Sequence, residues 1–186
     1  MSRFTVHTPS DAPEKSKAIL DRTEKALGFV PNLYGTFAGA PALLDAYTKV
    51  SMAFDQTSFD ATERQTVLLT ASRINDCQYC LAAHNTISKM QGVPDEVLTA
   101  LRDDTPLPTE RLEALRTFTK ILVEKRGWAP EEDVEAFLSA GFEPQQVLEV
   151  VLGVGLKTLS NYTNHLASTP IDEAFAANAP AASSAG

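Results

Sequence analysis

The chain has 186 residues, 44% of them hydrophobic and 22% charged, which suits one domain with a real core and is too apolar for disorder over most of the length. A formal net charge of −8, with no cluster of Lys and Arg, argues against nucleic acid or an anionic membrane as partner, because those surfaces reward grouped cations. No stretch reaches the roughly 18 apolar residues needed to span a bilayer, and "MSRFTVHTPSDAPEKSK" has no apolar run for a signal peptide, so the expected location is cytoplasmic.

Apolar residues recur at helical spacing almost everywhere, so the expected fold is an all-α helical bundle in a single domain. It should cover 1–175, with a disordered Ala/Ser-rich tail over 176–186. Arg3 to His7 alternates like a strand but is too short to found a sheet. Pro13 opens a helix that runs to about Leu27 and stops at Gly28. "PNLYGTFAGAPALLDAYTKVSMAF" reads as a short helix, a Gly39-Ala40-Pro41 break and a second helix from about Ala42 to Phe54.

Asp60 and Glu63 form the Asp variant of a capping box for a helix that continues to Ile74. Asp76 is the expected N-cap of the next helix, Cys77 to about Met90, with Gly92 as its stop. Val93-Pro94-Asp95-Glu96 starts another, and a proline-marked loop follows from Asp103. Leu112, Leu115, Phe118 and Leu122 make a helical stripe that ends at Lys125-Arg126-Gly127. Pro130 and Glu143-Pro144-Gln145 mark two further helix starts. Gly153 and Gly155 sit in an apolar helix with no strand before them, which points to close helix approach rather than a dinucleotide loop. Thr62 to His84 and Glu143 to His165 echo each other, with Gln65 over Gln146; a duplicated unit is possible, but so few positions match that chance is the better account.

"NDCQYCLAAH" (Asn75 to His84) holds both cysteines and one of the three histidines. Two cysteines this close in a reducing compartment make a poor structural staple. At about 100° per residue, Cys77, Cys80 and His84 fall within an arc of about 60°. A helix start favours thiolate, and an imidazole beside it can move a proton, as a disulfide-forming site requires. Two other readings stay open: a pair of small buried side chains, or a zinc site that would need His165 as fourth ligand. His165, with Asn161 and Asn164, either ends a helix in solvent or lines the pocket beside the cysteines. Tyr79 reads as packing and Trp128 as a helix-end anchor. His7 has no evident partner, and the sequon at Asn161-Tyr162-Thr163 reads as a chance match.

"ERQTVLLTASRINDCQYCLAAH", with "GFVPNLYG", "QGVP" and "LKTLSNYTNH" around it, resembles the carboxymuconolactone decarboxylase superfamily, in particular its alkylhydroperoxidase D-like, uncharacterised-peroxidase-related branch. The resemblance runs from roughly Phe4 to Phe175. It implies an all-helical homo-oligomer (trimer or hexamer, with a dimer also open). The implied activity is reduction of a hydroperoxide substrate with electrons from a thiol reductant protein or small thiol, and with no cofactor. Position by position, it makes Cys80 the attacking thiol, Cys77 the resolving one and His84 the proton relay. The helix-dipole argument by itself favours Cys77 as the more acidic thiol.

The departure is Gln65, where the well-studied hydroperoxidases carry a relay glutamate; an amide cannot take up a proton at physiological pH. Glu63 lies about 200° round the same helix and is poorly placed to substitute. Tyr79 stands where a histidine is found between the cysteines. A thiol-dependent peroxidase is the leading expectation. A dithiol sensor or exchange protein follows, then a zinc-binding module. Lactone decarboxylation is disfavoured because that branch does not share the cysteine pair.

Overall fold

The computed structural model describes residues 3–180. Among the described residues there are ten helices and no strand: α1 (Glu14–Leu27), α2 (Asn32–Ala38), α3 (Pro41–Asp55), α4 (Ala61–Ile74), α5 (Gln78–Met90), α6 (Asp95–Asp103), α7 (Glu110–Glu124), α8 (Glu131–Ser139), α9 (Pro144–Ala167) and α10 (Glu173–Ala176). None is long and apolar enough to cross a membrane. Local signals set most of the boundaries. Gly28 takes a left-handed φ of 82° and ends α1. Asp60 accepts from the Glu63 amide, and the Glu63 side chain accepts from the Asp60 amide, completing the box at the start of α4.

Helix α4 is the centre of the bundle, packed by α5, α7 and α9, and this explains why its residues from Gln65 to Ser72 are all buried. Phe137 stacks between Phe118 and Phe142, with centroids 4.6 and 4.2 Å away, and fixes α7 against α8 and the loop before α9. A Cβ on Gly153 would come within 2.7 Å of Phe54 and Val67, so the close helix approach expected there is real. At Gly155 the space is open, and the same expectation fails for it.

Trp128 and the residues past Phe175 depart from expectation, whereas the short Arg3 to His7 segment and the weak echo behave as expected among the described residues. Arg3 to His7 forms no strand; instead the His7 amide donates to the Gly35 carbonyl at 3.0 Å and the arm lies over α2. Trp128 is 84% exposed rather than an anchor, because left-handed Arg126 and Gly127 turn the chain outward after α7. The echoed segments fold differently: the first is broken between α4 and α5, the second is the continuous α9. Gln146 is also used in a capping box with Glu143, whereas Gln65 faces the interior. Order continues past Phe175, since Asn178 accepts from Lys89 at 2.5 Å and donates to Thr86 at 3.0 Å. Positions 181–186 of the expected tail lie outside the described residues.

Candidate active site

The link from α4 to α5 is only three residues long. Asp76 adopts a left-handed φ of 52° to turn the chain within it, a conformation that Asp tolerates better than most residues. The helix cap therefore falls one residue later than expected: Cys77, not Asp76, is the N-cap of α5. The Cys77 amide donates to the Ser72 carbonyl at 2.9 Å, which pins the turn to α4. Cys80 follows in the first turn and His84 one turn further along the same face. Both cysteines are 1% exposed and both are free thiols.

The opposite wall is α9, whose inward face presents Lys157, Ser160, Asn161 and Asn164. Asn164 Nδ2 lies 3.3 Å from Cys80 Sγ and 3.7 Å from Cys77 Sγ, so it donates to whichever sulfur carries charge. Asn161 accepts from Asn75 Nδ2 at 2.9 Å, which ties α9 to the turn before the cysteines. Burial by itself would raise the Cys80 thiol. It is outweighed by hydrogen bonds from Cys77, Ser160 and Asn161 and by the charge of Lys157, which together hold Cys80 well below the ordinary thiol range. Cys77 moves the other way, pushed up first by its hydrogen bond to Cys80 and then by burial and the charge on Cys80. The surroundings of the two sulfurs thus differ, and they favour ionisation at Cys80 over Cys77. The dipole argument does not decide the order here, because the hydrogen bond from Cys77 lowers Cys80 first and Lys157, Ser160 and Asn161 of α9 add to it.

His84 is half-buried, and its imidazole is held well below its usual range, first by loss of solvation of the ring and then by Lys157. It is therefore a neutral imidazole. Lys157 Nζ donates to His84 Nε2 at 2.9 Å, and this assigns the remaining proton to Nδ1, which donates to Gln65 Oε1 at 3.0 Å. Gln65 Nε2 in turn donates to Gln91 Oε1 at 3.0 Å, at the exposed end of α5. A continuous line of donors and acceptors thus runs from Lys157 to the surface. Gln65 orients His84 in this line without carrying a proton of its own.

Cys77, Cys80, His84, Gln65, Asn161 and Asn164 are brought together. Three other candidates are not. Glu63 is occupied by its capping box and by Arg111, whose Nε is 2.7 Å away, and it faces away from the relay as its angular offset requires. His165 is exposed, because the inward face of α9 is centred near Lys157 and Asn164 and His165 lies about 100° away from Asn164. The fourth ligand of a Cys2His2 zinc site is thereby lost; among the described residues no group of three or more His, Cys, Asp or Glu is arranged to hold a metal ion. Tyr79 is a clasp: its hydroxyl donates to Asp172 at 2.6 Å and accepts from the Leu33 amide at 3.1 Å. Asp172 also accepts from the Asn32 amide at 3.0 Å, so this one carboxylate joins α2, α5 and the segment after α9. Burial first, then the bond to Asp172, raises the Tyr79 phenol, which stays neutral.

Lys157 is the functional candidate that motif reading passes over. Its signal is the single cation of the apolar run "VLEVVLGVGLKTLSNY", four residues before Asn161 and seven before Asn164, which places all three on one helical face.

Residues 40–119 match the carboxymuconolactone decarboxylase family, a segment from the start of α3 into α7 that includes both cysteines and His84. No curated protein sequence matches the chain. Among solved structures, the alkylhydroperoxidase AhpD core, uncharacterized peroxidase-related protein of Ralstonia eutropha JMP134 superposes with a TM-score of 0.83 at 22% identity, over 94% of each chain. The uncharacterized peroxidase-related protein of Silicibacter sp. TM1040 gives 0.77 at 20% identity, over 89% of this chain and 88% of that one. The debrominase Bmp8, solved as a cysteine-to-alanine variant with 2,3,4-tribromopyrrole, gives 0.80 at 18% identity, over 96% of each. At these identities the structures establish the shared fold.

Proposed function

Because residues 40–119 match the carboxymuconolactone decarboxylase family and the chain has the alkylhydroperoxidase D-like fold, we propose that this protein is a thiol-dependent peroxidase. It reduces hydroperoxides through a Cys77–Cys80 dithiol/disulfide cycle. The observation that carries the reading is the asymmetry of the pair: Cys80 Sγ faces Asn164 Nδ2 at 3.3 Å and the charge of Lys157, while Cys77 retains its proton and donates to it. The Cys80 thiolate attacks the terminal oxygen of the hydroperoxide, the O–O bond breaks, and the departing alkoxide takes a proton to leave as alcohol. Cys77 then attacks the sulfenic sulfur; its proton and the hydroxyl leave as water and the disulfide closes. Neutral His84, fixed by Gln65 on one side and Lys157 on the other, orients the proton-donating end of the site. A thiol reductant restores the pair, and no other cofactor takes part.

Burial of both sulfurs supports a second reading, a dithiol sensor or exchange protein with little turnover, since only a small oxidant reaches a thiol that is 1% exposed. Stopped-flow consumption of an alkyl hydroperoxide with free-thiol counting separates the two. The peroxidase loses two thiols per chain rapidly and Cys80→Ser abolishes consumption; two thiols lost slowly, without repeated turnover, favour the sensor. Retention of both thiols under modest peroxide excess overturns both. A halogenated pyrrole assayed in parallel tests whether the likeness to the debrominase extends to chemistry.

The reading includes a homo-oligomer. Its support is the outward face of α9, where exposed Leu148, Gly155, Tyr162 and Leu166, with Leu152 and Leu159 half-buried against the core between them, follow the alternating four-and-three spacing of a helix–helix seam. Leu148, Tyr162 and Leu166 are 70%, 56% and 75% exposed. A second copy of the same helix is the partner of matching length and polarity, and light scattering of the pure protein tests it.

A further inference from the structure

Lys157 is 1% exposed, yet among the described residues its ammonium has no carboxylate partner; its hydrogen bond goes to the neutral nitrogen of His84. The buried carboxylates are both engaged elsewhere, Glu63 by Arg111 and Asp172 by Tyr79 and the Asn32 amide. The other titratable groups its charge reaches are Cys77 at the N-cap of α5 and Cys80 and His84 on that helix; Tyr47 on α3, near Ser160 and the sulfurs, has a phenol pushed up by burial first and then by Tyr34 and Cys80. Gln65 on α4, the neighbour across His84, is uncharged. A buried cation without a counter-charge is strongly disfavoured. The one anion this site can form is the Cys80 thiolate.

We infer that Lys157 is the counter-ion of the reduced site and its redox-linked proton donor, holding its ammonium proton while Cys80 is a thiolate and releasing it to the reduced oxidant as the Cys77–Cys80 disulfide forms. The inference shares the dithiol/disulfide cycle with the peroxidase reading and is independent of which oxidant closes it. Disulfide formation removes the only negative charge beside Lys157, so a retained proton would leave a lone buried cation.

The balance is complete without solvent. Two electrons leave the two sulfurs, one proton comes from the Cys77 thiol and one from Lys157, and a hydroperoxide becomes alcohol and water. The lysine ends as a neutral amine that still donates to His84 Nε2. The role that Gln65 cannot fill, supplying a proton to the site, thus falls to a residue on α9. His84 acts as a positioning residue, since its accepting nitrogen holds the lysine head in place.

The test counts protons. Fully reduced protein at about pH 7, in weak buffer with a pH indicator, is oxidised with diamide, whose azo bond accepts two electrons and two protons. One thiolate per chain should be present by ultraviolet absorbance and vanish on oxidation, with no net proton uptake. Uptake of one proton per disulfide would show that Lys157 stays charged and would overturn the inference. Absence of a thiolate in the reduced protein would also overturn it. Lys157→Met keeps the aliphatic stem and removes the charge; Cys80 alkylation at about pH 7 should slow by about tenfold or more, whereas an unchanged rate would remove Lys157 as counter-ion. If that variant does not fold, the proton count on wild type decides alone. Rapid hydroperoxide turnover with one proton taken up would sink the lysine role and leave the peroxidase. Inertness to hydroperoxide with no uptake on diamide oxidation would do the reverse. Failure of diamide to close the pair would sink both.

Discussion

The two faces of α9 reverse the usual distribution of polarity. The face turned into the bundle carries Lys157, Ser160, Asn161 and Asn164, all buried, while the face turned outward carries Leu148, Val151, Tyr162 and Leu166, all more than half exposed. Burying polar groups is costly unless each finds a partner; here Asn164 Nδ2 faces the two sulfurs, Lys157 donates to His84, Asn161 accepts from Asn75 and Ser160 donates to backbone carbonyls of α9, while Asn164 Oδ1 stays unpartnered. Exposing a contiguous apolar stripe is equally unusual in a monomer. One helix thus carries the proposed dithiol site on one side and the proposed self-association seam on the other, and each proposal can be broken separately.

The largest effect is expected on the outer face. Leu148→Glu combined with Leu166→Glu places carboxylates in the seam and should weaken self-association by about 2 kcal/mol or more per site, leaving a folded 20.1 kDa species by light scattering. An unchanged assembly would show that the seam is not used. On the inner side, Tyr79→Phe removes the hydroxyl that satisfies buried Asp172 and the Leu33 amide. It should lower the urea-unfolding free energy by about 1–3 kcal/mol, with little change in Cys80 alkylation; a large change there would give Tyr79 a chemical role.

A smaller effect comes from His84. Its folded-state pKa lies well below the unfolded value of about 6.5, so the unfolded chain binds the proton first and stability is lost as pH falls below about 6.5 toward the folded value. The limiting slope is about 1.4 kcal/mol per pH unit for one proton. His84→Gln should flatten this part of the profile, and an equal slope in the variant would mean that His84 is not the neutral, half-buried group described. Smallest of all, Asp60→Ala breaks the α4 capping box and should cost about 1 kcal/mol, with assembly and thiol reactivity unchanged.

What was legible beforehand follows the range of the interactions. The capping box of Asp60 and Glu63 and the arc of Cys77, Cys80 and His84 depend on neighbours within one or two helical turns, so spacing alone reveals them. The partners that give the site its character are distant in the chain: Lys157 is 73 residues from His84, Gln91 is 26 from Gln65, and Asp172 is 93 from Tyr79. Asn164 and His165 are adjacent in sequence, yet one is buried against sulfur and the other exposed, a distinction set by how α9 is rotated against α5. The missing glutamate at Gln65 was visible as a gap, but the group that fills the electrostatic role lies on another helix. Asp76 looked like a cap by residue type, and the shortness of the connection made it a left-handed turn instead.

The central claim is that the cysteine pair is asymmetric, with Cys80 the thiolate and Cys77 its protonated donor. The most direct measurement is the pH dependence of alkylation at each cysteine of the reduced protein, resolved by peptide mass spectrometry. The account expects Cys80 to react with a midpoint well below the ordinary thiol value of about 8.5, and Cys77 to stay unreactive until well above it. Cys77 reacting first, or both titrating near the ordinary value, would contradict it.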